Sequence, residues 1–227
     1  MIRAVTIDAL GTLVHMQAPG PRLREQLRER AGVEVSEEQA TAGFAAEIRY
    51  YLEHHLEGGD PQSLDTLRDH CASVLRDALG LEQVELPVVR EAMLASLHFE
   101  AFPDAAPALD ELRSRGLRVV AASNWDSSLP EVLERTGLAP LLDGVVSSAA
   151  AGAAKPDPRL FEAALKLAGV APGDALHVGD RPDKDVEGAH ALGMSAVLIA
   201  RDGPPPTAAG APVIATLAEL PPLVLDA

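Results

Sequence analysis

The sequence predicts an α/β protein, with a doubly wound parallel sheet and an all-helical domain inserted after the first strand. Short apolar runs rich in Val, Ile, Leu and Ala recur along most of the chain, and amphipathic stretches separate them. Continuous apolar runs are typical of strands that are buried on both faces, and their alternation with helices indicates a parallel sheet. One long segment breaks this rhythm, since it contains helical patterns with no strand between them.

The apolar runs predict five strands at residues 2–7, 117–122, 145–147, 175–178 and 196–199. Between and after them, amphipathic periodicity predicts helices near 104–115, 127–136, 158–168 and 183–192. Each helix is followed by a glycine, namely Gly116, Gly137, Gly169 and Gly193. Glycine accepts the left-handed conformation that ends a helix, so the chain can turn back toward the sheet. The tail predicts a proline-rich loop from Gly203 to Pro206, then a short strand at Val213-Ile214 and a last helix.

Residues 15 to about 100 predict a helical cap, with helices over Pro21–Gly32, Ser36–Glu57, Pro61–Gly80 and Pro87–His98. Helical periodicity stops at His15–Gly20 and at Glu100–Pro103, which we interpret as linkers. The predicted core domain is therefore 1–14 with 101–227, and the predicted cap domain is 15–100.

Composition narrows the classes of partner. The 227 residues are 47% hydrophobic, enough for a core, and carry 19 basic against 34 acidic side chains, a net charge of −15. Such a surface repels phosphate backbones and anionic lipids, so nucleic acid and membrane are not expected partners. An anionic substrate would need a bound cation or a local basic pocket.

The cysteine content and the N-terminal and apolar patterns predict a cytoplasmic protein. Cys71 is the only cysteine, and its helical spacing predicts a buried core residue. No signal-peptide pattern is present at the N-terminus, and no apolar run approaches the roughly 18 residues of a membrane span. No pattern indicates an oligomeric state.

Chemically useful groups follow four of the predicted strands. They are Asp8, Ser123-Asn124, Lys155-Pro156, and Gly179-Asp180 with Asp185. In open parallel sheets, ligands gather beyond the carboxyl ends of the strands, where loops and helix N-termini meet. We therefore expect these groups to converge at one edge of the sheet.

These residues resemble the four motifs of the haloacid dehalogenase superfamily, over essentially the whole chain. The motifs stand here as Asp8-Ala9-Leu10-Gly11-Thr12-Leu13, Ser123-Asn124-Trp125-Asp126, Lys155-Pro156-Asp157, and Gly179-Asp180-Arg181-Pro182-Asp183-Lys184-Asp185. The resemblance implies a Rossmann-like core with a helical cap. It also implies a Mg²⁺-dependent hydrolase, namely a phosphatase of a small phosphorylated metabolite.

The resemblance implies a role for each matching residue. Asp8 corresponds to a nucleophile that forms an aspartyl-phosphate. Asp8, Asp180, Asp185 and the backbone carbonyl of Leu10 correspond to ligands of Mg²⁺, which prefers oxygen. Ser123 and Lys155 correspond to catalytic residues that also bind the substrate phosphate. Thr12 and Asn124 correspond to residues that bind the substrate.

The chain departs from the family's phosphatases two residues after the nucleophile. Those enzymes have a second aspartate there as general acid and base, and this chain has Leu10. Loss of such a group typically forfeits about 10²–10⁴ in rate. His15 is the nearest group in the sequence that could replace it.

Three interpretations are compatible with Leu10. The first is a phosphatase for substrates with weakly basic leaving groups, such as acyl or aryl phosphates. The second is a 2-haloacid dehalogenase acting on a haloacid, because halide departs without a proton. Those relatives are metal-free and carry S-S-N-x-x-D as their fourth motif, whereas this chain has the acidic Gly179-Asp180 form. The third is a metal- or ligand-binding protein without turnover. Phosphonoacetaldehyde hydrolase needs a cap lysine, which residues 15–100 lack.

Overall fold

The computed structural model describes residues 1–201 and 210–225. The chain forms two compact units, one of Met1–His15 with Glu100–Ala227 and the other of Met16–Phe99. We propose that they are the core and cap domains expected from the sequence. The predicted proline-rich loop at 203–206 lies outside the described residues.

The first unit is built on a parallel sheet of six strands, which confirms the predicted fold class. The strands of the chain are β1 Ala4–Ile7, β2 Val14–Met16, β3 Phe99–Ala101, β4 Arg118–Ser123, β5 Gly144–Ser147, β6 Ala175–Gly179, β7 Ser195–Ile199 and β8 Val213–Ile214. The sheet order is β5-β4-β1-β6-β7-β8, and all neighbours run parallel. The short strands β2 and β3 form a separate pair, so the segments predicted as linkers contain strands.

The helices of the two units are α1 Pro19–Ala31, α2 Glu37–His54, α3 Pro61–Ala78, α4 Leu86–Ser96, α5 Ala105–Ser114, α6 Leu129–Arg135, α7 Ser148–Ala151, α8 Pro158–Ala168, α9 Glu187–Ala191 and α10 Leu220–Leu225. Helices α5–α10 belong to the first unit with the sheet, and helices α1–α4 make up the second unit. Short 3₁₀ helices span His55–Glu57, Ala139–Leu141, Pro172–Asp174 and Leu217–Glu219, and a π-helical turn spans Pro182–Val186. The α-helix predicted near 183–192 is therefore wrong in its first half, which forms this π-helical turn. Its second half is α9.

Both faces of the sheet are buried, as the continuous apolar runs predict. One face packs against α8 and α9 through Ala4, Val120, Ala122, Phe161, Leu160, Ala164, Ala189 and Leu198. Val5, Val119 and Val178 point to the opposite face because side chains alternate along a strand, and they too are fully buried. β1 is central, and its last residue Ile7 lies level with Ala121 and Val178 of the neighbouring strands. Whatever follows β1 is thus placed between the ends of β4 and β6.

The second unit has an apolar core of its own, formed by α1–α4. Its fully or almost fully buried members include Leu23, Leu27, Phe44, Leu67, Leu75, Val89 and Met93. Cys71 is buried among them, as its spacing predicts. Glu47 of α2 is a buried carboxyl in this unit, and burial raises its pKa to about 7 although a hydrogen bond from Cys71 opposes the rise. None of the helices in the described part of the chain combines the length and apolar character needed to cross a lipid bilayer.

Candidate active site

The loop after β1 places Asp8 at the centre of the polar groups that follow the strands. The Asp8 side chain is buried, and its backbone N–H donates to the Val178 carbonyl at 2.8 Å. Ser123 ends the neighbouring strand β4, is also buried, and donates a side-chain hydrogen bond to the Asp8 carboxylate. Two of the predicted site residues are therefore in direct contact.

Lys155 joins the carboxylates of two motifs. Its buried Nζ lies 2.6 Å from Asp8 Oδ1 and 2.6 Å from Asp185 Oδ1, and it donates to the Ala122 carbonyl at 2.9 Å. Burial alone would lower the pKa of Lys155, but the charges of Asp8 and Asp185 outweigh it and raise that pKa. The lysine is an ammonium fixed between two carboxylates.

Three carboxylates form a candidate metal site. Asp8, Asp180 and Asp185 each offer an oxygen, and these oxygens all lie within 4.8 Å of one another. Burial, and then the charges of Asp8 and Asp185, raise the pKa of Asp180 to about 6. Burial also raises the pKa of Asp8, although Lys155 opposes that rise. Anionic oxygens crowded in this way are the donor set that a hard divalent cation requires.

Two glycines allow the carboxylates to come this close. Gly11 has φ +82°, and a Cβ added there would lie 2.5 Å from Asp180 Oδ2. A Cβ added at Gly179 would lie 2.2 Å from Asp185 Cγ. Each carboxylate thus occupies the space that a side chain would take, which gives both glycines a packing role beyond backbone freedom.

The Asn124 side chain hydrogen-bonds the backbone of Lys155. Its Nδ2 donates to the Lys155 carbonyl at 3.1 Å, and its Oδ1 accepts from the Lys155 N–H at 2.7 Å. This reciprocal pair ties the loop after β4 to a residue 31 positions later. The Asn124 carboxamide is therefore placed to position Lys155, and substrate binding by Asn124 stays a prediction.

Thr12 is buried in the turn that follows Asp8. The residue is fully buried, and its Oγ1 has no hydrogen-bond partner within residues 1–201 and 210–225. Its carbonyl accepts from Arg201 at 2.6 Å. These contacts support a role for Thr12 in the turn after Asp8, and substrate binding by Thr12 stays a prediction.

No carboxyl stands at the position two residues after the nucleophile. Leu10 is 43% exposed, and the described backbone contacts at this turn include Gly11 N donating to the Val14 carbonyl at 2.8 Å. His15 lies with its Nε2 3.8 Å from Glu100 and its ring 5.0 Å from that of Phe102. That the backbone carbonyl of Leu10 binds the metal stays a prediction.

Sequence inspection missed His177. This residue of β6 is fully buried, and its Nε2 lies 3.0 Å from Asp185 Oδ1. Burial lowers the pKa of His177, against the effect of its hydrogen bond with Asp185. Burial alone would raise the pKa of Asp185, but Lys155 and His177 hold it well below the ordinary value. A histidine inside an apolar strand was the available signal, and it marks a buried polar group that needs a partner.

Comparison with known proteins establishes the family of this chain. A model of haloacid dehalogenase-like hydrolases matches residues 2–193. The chain belongs to this family. It is a hydrolase, and the structure brings the residues that match the four family motifs to one edge of the sheet.

Individual relatives include proteins named for two different reactions. Haloacid dehalogenase-like hydrolase domain-containing protein 3 of Bos taurus is 43% identical over 137 residues, covering 60% of this chain and 53% of that protein, so this match spans about half of the bovine relative. The protein of the same name from Homo sapiens is 32% identical over 209 residues, covering 87% of this chain and 82% of the relative. Glyceraldehyde 3-phosphate phosphatase of Methanopyrus kandleri is 31% identical, covering 88% and 85%. Among solved structures, 2-haloacid dehalogenase from Pseudomonas syringae pv. Tomato DC3000 is 27% identical with a TM-score of 0.72, covering 100% of this chain and 99% of that chain.

Proposed function

We propose that this hydrolase is a Mg²⁺-dependent phosphatase that acts on a small phosphorylated metabolite through an aspartyl-phosphate at Asp8. The observation that carries the proposal is the set of three carboxylates within 4.8 Å beside one ammonium. The phosphatase name of the Methanopyrus kandleri relative supports the same reaction class. The cytoplasmic location expected from the sequence stays a prediction.

The charge of the site favours a divalent cation. Asp8, Asp180 and Asp185 carry three negative charges when ionised, and Lys155 offsets one. Two unit charges about 5 Å apart near a protein surface repel each other by roughly 3 kcal/mol. An anionic phosphate would add to this repulsion, so Mg²⁺ held by Asp8 and Asp180, with Asp185 beside them, fits both the oxygen donors and the missing charge.

The chain's own residues account for the first half of the reaction. A carboxylate oxygen of Asp8 attacks phosphorus, and the bond from phosphorus to the leaving oxygen breaks. Ser123 and Lys155, which both contact Asp8, would each donate a hydrogen bond to a phosphoryl oxygen. Bound Mg²⁺ would supply positive charge that offsets the charge on the transferring phosphoryl group.

Leu10 decides which leaving groups can depart. The side chain has no proton to donate, so the leaving oxygen departs as an anion and takes its proton from water. Water then attacks the phosphorus of the aspartyl-phosphate, which releases inorganic phosphate and restores the Asp8 carboxylate. We therefore propose substrates with weakly basic leaving groups, such as acyl and aryl phosphates.

Haloacid dehalogenation is the second candidate, because the dehalogenase of Pseudomonas syringae is structurally similar over the whole chain. Leu10 suits that reaction as well, since halide needs no proton. Asp180 counts against it: a third carboxylate near Asp8 has no use in a metal-free displacement, and it would repel the carboxylate of a haloacid.

A substrate panel separates the candidates. The full chain is assayed with aryl, acyl and alkyl phosphates and with 2-chloropropionate, each with Mg²⁺ and with a chelator. Phosphate release that requires Mg²⁺ supports the proposal. Chloride release that persists with chelator would establish the dehalogenase instead, and inactivity on every compound would favour a binding protein without turnover.

A matched pair of variants tests the metal site itself. Asp180→Asn removes one carboxylate of the cluster, whereas Asp183→Asn removes an exposed carboxylate of the same loop that pairs with Arg181. We expect Asp180→Asn to weaken Mg²⁺ binding, measured by calorimetry, by at least about 10-fold, and Asp183→Asn to leave it nearly unchanged. Equal effects of the two variants would contradict the proposed ligand set.

A further inference from the structure

His177 is a buried polar residue of β6, the strand that leads into the acidic loop of residues 179–185. It pairs in register with Thr6 of β1, and both residues are fully buried. His177 and Gly179 share one face of β6 because side chains alternate along a strand. On that face Phe161 of α8 meets the imidazole edge-on, with ring centroids 5.0 Å apart at 83°. A buried imidazole in such surroundings is stable only when its nitrogens have hydrogen-bond partners.

Both ring nitrogens have one. Nε2 lies 3.0 Å from Asp185 Oδ1, and Nδ1 lies 2.8 Å from Thr6 Oγ1. A carboxylate only accepts, so the proton must be on Nε2, and the Thr6 hydroxyl can then donate to Nδ1. Asp185 thereby selects the tautomer with the proton on Nε2, and the Thr6 hydroxyl, which can donate or accept, satisfies Nδ1 of that tautomer.

Asp185 is held from several directions. Its Oδ1 meets Lys155 Nζ at 2.6 Å in addition to His177, and its Oδ2 accepts from the Arg181 N–H at 2.9 Å. The carboxylate lies over Gly179, where a Cβ would come within 2.2 Å of its Cγ. The same Lys155 Nζ contacts the nucleophile at 2.6 Å. A rotation of the Asp185 carboxylate away from Lys155 would therefore remove one of the three groups that hold the ammonium against Asp8.

We propose that His177, aligned by Thr6, is a positioning residue that fixes the Asp185 carboxylate and, through it, the placement of Lys155 against Asp8. The residue lies outside the four motifs and touches no reacting atom. Its role rests on the proposed function, because the site that it orders is the phosphatase site. The buried hydrogen bond from His177 keeps the Asp185 carboxylate from rotating into a position where it contacts only Lys155.

The test compares three variants of the full chain. His177→Phe keeps the ring packing and removes both hydrogen bonds, and His177→Gln retains a side-chain N–H donor. Val197→Ala is the control, since Val197 is equally buried in the next strand and lies outside the site. Each protein is measured for kcat and KM with an aryl phosphate, for the Kd of Mg²⁺ by calorimetry, and for stability in urea.

We expect His177→Phe to lower kcat and weaken Mg²⁺ binding by about 10- to 100-fold, the usual cost of losing a group that orients a ligand. His177→Gln should recover a substantial part of both losses. Val197→Ala should lose stability, by about 1–3 kcal/mol for the methyl groups removed, while kcat and the Kd of Mg²⁺ stay within about 2-fold. Phe and Gln variants that match wild type, or that lose only stability as Val197→Ala does, would overturn the proposal.

A spectroscopic measurement on the wild-type protein keeps the proposal testable if His177→Phe does not fold. Imidazole ¹⁵N chemical shifts should show a protonated Nε2 and an unprotonated Nδ1 at His177. The opposite tautomer would overturn the proposal. A wild-type protein that neither binds Mg²⁺ nor releases phosphate would instead overturn the proposed function, whereas a fully active His177→Phe variant would overturn the role of His177 alone.

Discussion

Glu47→Gln should stabilise the protein at neutral and alkaline pH and have a much smaller effect in acid. Burial raises the pKa of Glu47 to about 7 from an ordinary value of 4.5. An acid with a raised pKa binds its proton more tightly in the folded chain, so stability is highest below the unfolded pKa and falls as pH rises toward the folded one. A shift of about 2.5 units corresponds to roughly 3 kcal/mol, at about 1.4 kcal/mol per unit. Most of that loss develops between about pH 5 and pH 8.

The assay is urea unfolding, followed by circular dichroism at pH 5 and pH 8. The free-energy difference between Glu47→Gln and wild type should grow by about 2–3 kcal/mol from the lower to the higher pH. Glu53→Gln, an exposed position on the same helix α2, should change stability by no more than about 0.5 kcal/mol at either pH. A pH-independent difference for Glu47→Gln would refute the reasoning, since it would show that the carboxyl is ionised without cost in the folded chain.

Substitutions at three residues, Leu10, Gly179 and Asn124, test the site further. Leu10→Asp supplies a carboxyl beside the nucleophile, and kcat for an alkyl phosphate should rise at least about 10-fold more than kcat for an aryl phosphate; equal gains would show that protonation is not the missing step. Gly179→Ala places a Cβ 2.2 Å from the buried carboxylate of the acidic loop and should lower kcat by about 10-fold or more, whereas Gly173→Ala, with nothing within 4 Å, should not. Asn124→Ala removes both hydrogen bonds to the Lys155 backbone and should lower kcat about 10-fold. Asn124→Asp retains the acceptor for the Lys155 N–H and should lose less; a larger loss would contradict this positioning role.

The sheet was predictable because burial on both faces leaves a strong pattern. The run predicted at 117–122 is β4 at Arg118–Ser123, and the run at 175–178 lies within β6. β2 and β3 were not predictable, since strands of three residues carry almost no periodicity and form only through pairing with a distant segment. The π-helical turn at Pro182–Val186 was not predicted for a different reason: Asp185 hydrogen-bonds the Arg181 backbone, and this local contact leaves no mark in the apolar periodicity.

The position of each motif was predictable, and its contacts were less so. Parallel strands end at one edge, so Asp8 and Asp180 were expected on the same edge. The pairing of β1 with β6, which makes them neighbours, was not predictable from the strand patterns alone. The bonds from Asn124 to the Lys155 backbone were not predictable, because the two residues lie 31 positions apart. His177 gave no signal beyond its place in an apolar strand, because its partners Thr6 and Asp185 lie on other elements.

The most direct test of the account is chemical trapping of Asp8. The protein is mixed with Mg²⁺ and an aryl phosphate, quenched in acid, reduced with borohydride and digested for mass spectrometry. Reduction of an aspartyl-phosphate converts the aspartate to homoserine, and the account predicts this product at residue 8, only when both Mg²⁺ and substrate are present. Turnover without homoserine at that position, or with the modification on another residue, would contradict Asp8 as the nucleophile.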